Sequence, residues 1–123
     1  MKNSHIITAV LLLLFTTSCV QKTHKKTIVF KVNVSKLEAV KKVSIRGSDT
    51  PLSWEKGYPL QELVKDSLYQ AIITMETGRL YTEFKISIND KTELEGKENR
   101  KIYFAMQGDT TAVSIIYDKN TPL

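Results

Sequence analysis

The densest group of side chains that could support chemistry consists of three glutamates, Glu93, Glu95 and Glu98. A pair of carboxylates can serve as acid and base in glycoside hydrolysis, and several together can bind calcium. A spacing of two places Glu93 and Glu95 on one face of a strand. We interpret the group as a solvent-exposed strand edge of mixed charge, because four cationic residues surround it: Lys91, Lys97, Arg100 and Lys101.

The rest of the chain lacks the side chains on which most catalysis depends. From residue 27 onward the sequence contains no histidine and no cysteine. This removes the commonest general base, the thiol nucleophile and most sets of transition-metal ligands, and it leaves serine and threonine without a base to activate them. We therefore predict a domain that is not an enzyme and needs neither a cofactor nor a metal.

The first 26 residues read as a leader and a tether. Residues 1–18 combine Lys2 with the apolar run 6–15, which is too short to span a bilayer at the roughly 20 residues needed. They lead into Cys19, the only cysteine, and resemble a bacterial lipoprotein signal with its lipobox, although Thr16 stands where the usual pattern has leucine. We predict a signal peptide over 1–18, lipidation of Cys19 and a basic tether over 19–26, which would anchor the domain to the cell membrane or the outer membrane. The alternative is an ordinary secreted protein.

The charge of the chain gives no indication of nucleic-acid binding. The sequence has 18 Lys and Arg against 13 Asp and Glu, but four of the lysines precede residue 27. The folded part, 27–123, thus carries 14 basic and 13 acidic groups, a net charge of +1.

Short β-strands are the elements that must position any site in this domain. Alternation of apolar and polar residues predicts them at 28–34, 43–45, 58–60, 68–74, 80–88, 92–95, 100–104 and 112–117. Asn89-Asp90 predicts a hairpin turn, and residues 35–42 could form one or two helical turns or a connecting loop. The pattern predicts an all-β fold, an immunoglobulin-like antiparallel β-sandwich of about seven strands, preceded by a signal-peptide helix.

Four segments in this order resemble the starch-binding domains of carbohydrate-binding module families 20 and 48: VSIRGSDTPLSWEKGYPL, SLYQAIITM, YTEFKISIND and ELEGKENRKIYF. The resemblance covers about residues 27–118 and implies a β-sandwich with a sugar site built from two tryptophans, a lysine and an asparagine. These positions fall on Trp54, Leu94, Lys85 and Asn99. Leu94 departs from the pattern, since leucine can contact a sugar face but cannot stack on it; Tyr58, Tyr69 or Tyr81 could supply the second ring.

Two interpretations of Trp54 remain open from the sequence. Its indole could stack on a sugar ring from an exposed loop, or it could fold back over the sandwich edge and close the core. The first predicts an envelope lipoprotein that binds a polysaccharide or oligosaccharide, an α-glucan by resemblance. The second fits a module without sugar affinity that docks onto a protein partner, such as an envelope hydrolase, through an apolar surface patch that could include Tyr103 or Tyr117.

Overall fold

The computed structural model describes residues 22–105 and 108–120. The predicted signal peptide and Cys19 lie outside these residues. In the part that is described, no helix is long and apolar enough to cross a membrane. The strands are β1 (His24–Asn33), β2 (Val43–Gly47), β3 (Tyr58–Pro59), β4 (Gln61–Val64), β5 (Leu68–Thr77), β6 (Tyr81–Ile88), β7 (Lys91–Thr92), β8 (Arg100–Tyr103) and β9 (Thr110–Ile116).

The nine strands found among the described residues form two sheets, which confirms the predicted all-β sandwich. The first sheet has the order β4-β5-β1-β9. The second has the order β3-β2-β6-β7, with β8 also paired to β6. One pair departs from the antiparallel prediction, because β1 and β9 run parallel. A parallel pair needs a long crossover, and here the whole second sheet lies between the two strands in sequence.

The first strand begins earlier than the sequence predicted. β1 starts at His24, inside the segment assigned to the tether, and its first residues pair with the end of β5. Lys25 is directly opposite Glu76 in this register, a favourable pairing of opposite charges. The first residues of β1 are therefore part of the strand because β5 is long enough to pair with them, up to its last residue, Thr77.

Residues 35–42 form a loop of turns and bends, so the helical alternative for this segment is wrong. The hydroxyl and the backbone amide of Ser35 both donate to Asn33 Oδ1, which fixes the start of the loop. The side-chain amide of Asn89 holds the far end of the loop. Its Oδ1 accepts from Lys41 N and Lys42 N, and its Nδ2 donates to Ala39 O.

Asn89 and Asp90 make the predicted hairpin turn between β6 and β7. Both have a positive φ, 49° and 67°, as the two-residue type I′ turn requires. Asn89 therefore shapes the hairpin through its backbone and ties down a second loop through its side chain.

Alternate residues of the long strands fill the space between the sheets. Phe30 of β1 and Phe84 of β6 are fully buried and meet edge to face, with ring centroids 5.1 Å apart. Around them lie the other buried apolar residues, among them Ile28, Val32, Ile45, Ile73, Met75, Ile86, Ile102 and Ile115. The opposite face of the second sheet carries polar residues and is where the candidate site lies.

Candidate functional site

The glutamate cluster is split by the structure. Glu93 is 1% exposed and forms a bidentate ion pair with Arg100, which is 3% exposed; Nε lies 2.6 Å from Oε1 and Nη2 lies 2.9 Å from Oε2. Glu95 and Glu98 are exposed. The predicted strand 92–95 ends at Thr92, because Leu94 has a positive φ of 51°. The interpretation of Glu93 as part of a solvent-exposed edge is therefore wrong, and no metal-binding group of His, Cys, Asp or Glu occurs among the described residues.

The Glu93–Arg100 pair joins the second sheet to the end of β9 and the residues that follow it, 116–119. The carboxylate accepts from Ile86 N on β6 and from Asp118 N after β9. The Arg100 guanidinium donates to the carbonyls of Ile116 and Lys119. Burial, followed by the charges of Asp118 and Glu93, raises the pKa of Tyr117 above its ordinary value of 10.0. The Tyr117 hydroxyl donates to Lys91 O at the start of β7.

Trp54 lies in the loop between β2 and β3 and is 39% exposed. The buried apolar residue of the loop is Leu52, which is 5% exposed and contributes to the core. The Trp54 carbonyl accepts a hydrogen bond of 2.8 Å from Arg46 Nη1, and Ser53 O accepts from Gly47 N. The loop is thus held along β2 by its backbone, while Trp54 remains partly exposed to solvent.

Lys85 lies on β6, next to the strand β2 that holds this loop. Arg46 on β2 is its direct partner in the ladder. The β6–β8 register ends with Phe84 opposite Arg100, and one further step brings Asn99, which is exposed, to the other side of Lys85. Trp54, Arg46, Lys85 and Asn99 therefore follow one another across the sheet; we call them the Trp54 row.

The ammonium group of Lys85 has a structural role in this row. Nζ donates to the carbonyls of Leu94 and Lys97, each at 2.9 Å. Two of its three hydrogens are therefore used to hold the loop that follows β7. Arg46 was not among the site residues predicted from the sequence. It holds the loop between β2 and β3 through its hydrogen bond to the Trp54 carbonyl. The sequence indicated only that Arg46 is on the polar side of a strand, directly before the loop that contains Trp54.

Leu94 does not contribute to a binding surface. Its side chain is 2% exposed, and its amide donates to Asp118 Oδ1. The contact with a sugar face that the resemblance implied for this position is therefore wrong, because the loop turns the leucine inward.

Two of the three tyrosines considered as replacements for the missing ring are also unsuitable. Tyr69 is 7% exposed, and the hydrogen bond from its hydroxyl to Glu62, followed by burial, raises the pKa of Tyr69. Tyr58 packs against the core. Tyr81 is only partly buried and lies on the same outer face as Lys85.

No protein-family model matches the chain, and no curated protein matches it. The resemblance to starch-binding domains therefore stays a prediction from the motifs in the sequence.

Proposed function

We propose that this protein is a cell-envelope lipoprotein whose β-sandwich binds a neutral carbohydrate, an α-glucan, by stacking on Trp54. The observation that carries the proposal is the exposure of the indole on a loop that its backbone holds in place. A flat aromatic ring covers the apolar C–H face of a sugar, while nearby donors and acceptors bind the hydroxyls.

The polar groups beside the indole suit such a ligand. Asn99 is exposed and offers both a donor and an acceptor. Lys85 has one hydrogen beyond the two that it donates to carbonyls. Since Leu94 is buried, the row contains one stacking ring, and we expect weaker binding than a site with two rings would give.

The first test is binding of the full chain to insoluble starch and to β-cyclodextrin, with Trp54→Ala beside the wild type. We expect saturable binding that weakens by about 1–3 kcal/mol in the variant, by analogy with stacking of bases on aromatic rings. Ile72→Ala is the matched control, because Ile72 is 60% exposed on the other sheet. This variant should bind starch and β-cyclodextrin as the wild type does. Absence of binding by the wild type would contradict the proposed α-glucan site.

The lipid anchor has a separate test. When the full gene is expressed in a bacterium supplied with a labelled fatty acid, the wild type should incorporate label and Cys19→Ala should not. Label that persists in the variant, or is absent from both, would contradict lipidation at Cys19.

The second candidate function is a protein-interaction module without sugar affinity. It is favoured by exposed apolar residues on the first sheet, where Leu63 is 53% and Ile72 is 60% exposed and both line one shallow pocket. Of the tyrosines considered for such a patch, Tyr103 is exposed, whereas Tyr117 is partly buried and donates a hydrogen bond to Lys91 O. Lack of glycan binding by a correctly folded wild type would favour this candidate.

A further inference from the structure

A pair of tyrosines lies at the β8 edge of the second sheet, away from the Trp54 row. Tyr81 on β6 and Tyr103 on β8 are direct partners, and their ring centroids are 5.5 Å apart with the planes inclined at 47°. Tyr103 is 67% exposed, whereas Trp54 is 39% exposed. Tyr81 lies four positions before Lys85 along β6, a distance of about 13 Å. The pair is therefore a separate surface on the same face.

Two charged side chains hold the ring of Tyr81, the less exposed member of this pair. The Arg79 guanidinium lies 5.0 Å from the Tyr81 centroid, and Lys101 Nζ lies 5.3 Å from it. Both distances are typical of a cation held over an aromatic face. Because Tyr81 is held in this way, Tyr103 packs against a positioned neighbour and still presents most of its own surface to solvent.

The charges around the pair cancel. Arg79 lies 3.7 Å from Asp49, and Lys101 lies 3.9 Å from Glu83. Two cations and two anions leave no net charge to attract a phosphate or a uronic acid. An exposed aromatic surface ringed by both donors and acceptors suits a neutral ligand with many hydroxyls.

We propose that Tyr103, supported by Tyr81, forms a second binding platform, on which a neutral pyranose ring of a glycan stacks. The Tyr103 ring would cover the C–H face of the sugar, and Lys101 and Glu83 would bind its hydroxyls. The platform shares a ligand class with the proposed function but none of the residues of the Trp54 row, so each can fail while the other stands.

The experiment is an NMR titration of the full chain in detergent with four neutral oligosaccharides: maltoheptaose, cellohexaose, laminarihexaose and mannohexaose. We expect at least one of them to shift the amide resonances of residues 81–83 and 101–103. Tyr103→Ala should weaken that binding by about 5- to 100-fold, whereas Tyr103→Phe, which keeps the ring, should stay close to the wild type. Ile72→Ala serves again as the exposed control on the opposite sheet.

Three results would overturn the platform: none of the four sugars shifts these resonances, Tyr103→Ala binds as the wild type does, or an oligogalacturonate binds more tightly than every neutral sugar. Binding that Trp54→Ala abolishes and Tyr103→Ala retains would exclude the platform and leave the proposed function intact. Binding that Tyr103→Ala abolishes and Trp54→Ala retains would support the platform and exclude the site at Trp54.

Discussion

Replacing Glu93 by alanine is expected to lower the free energy of unfolding by about 3–5 kcal/mol, since it leaves Arg100 as a buried charge without a counterion. The same change leaves the amides of Ile86 and Asp118 without an acceptor. Small domains have a total stability of roughly 5–15 kcal/mol, so this loss would remove a large share of it. Urea unfolding followed by circular dichroism measures the effect.

The matched control is Glu95→Ala, two residues away and exposed, which should change stability by about 0.5 kcal/mol or less. The double variant Glu93→Leu with Arg100→Met should recover only part of the stability. It removes the unpaired charge, but it still leaves the amides of Ile86 and Asp118 and the carbonyls of Ile116 and Lys119 without their partners. A loss below about 1 kcal/mol in Glu93→Ala would contradict the structural role assigned to the pair.

Replacing Phe84 by alanine is expected to cost about 3–5 kcal/mol, because the ring is fully enclosed between the two sheets. Part of the loss comes from the edge-to-face contact with Phe30, since such pairs contribute about 0.5–1.5 kcal/mol beyond the area that they bury. Thermal or urea unfolding measures this loss.

Tyr103→Ala is the matched control for Phe84→Ala. It also removes an aromatic ring from the second sheet, but the ring is 67% exposed and contacts mainly Tyr81 across the ladder, so stability should change by about 1 kcal/mol or less. Equal losses in the two variants would show that Tyr103 is packed in solution. That result would also weaken the case for a binding platform at Tyr103.

The fold was largely predictable because each long strand carries a clear alternation. In β6, for example, Phe84, Ile86 and Ile88 lie on the buried face as the period of two required. The short strand β4 was missed because QELV has no such alternation, and all four of its residues are exposed. The parallel pairing of β1 with β9 was missed because it joins the two ends of the domain, and nothing local specifies it.

The candidate site was only partly predictable. Trp54 and Asn99 are exposed, Lys85 is partly buried, and their part in a sugar site stays a prediction. Leu94 and Glu93 were misplaced because the backbone turns at Leu94, so its neighbour Glu93 reaches Arg100 inside the domain. A positive φ at leucine has no signal in the sequence, because leucine rarely adopts it.

The sequence by itself determined the all-β class, most of the strand positions, the Asn89-Asp90 turn and the lack of histidine and cysteine in the domain. These properties depend on composition and on contacts between near neighbours. The tertiary structure alone decided that Leu52 rather than Trp54 fills the core, that Glu93 and Arg100 are buried together, and that Tyr81 and Tyr103 meet at an exposed edge. The physical reason is that burial and pairing across strands depend on register and packing between distant segments, and a linear pattern does not contain them.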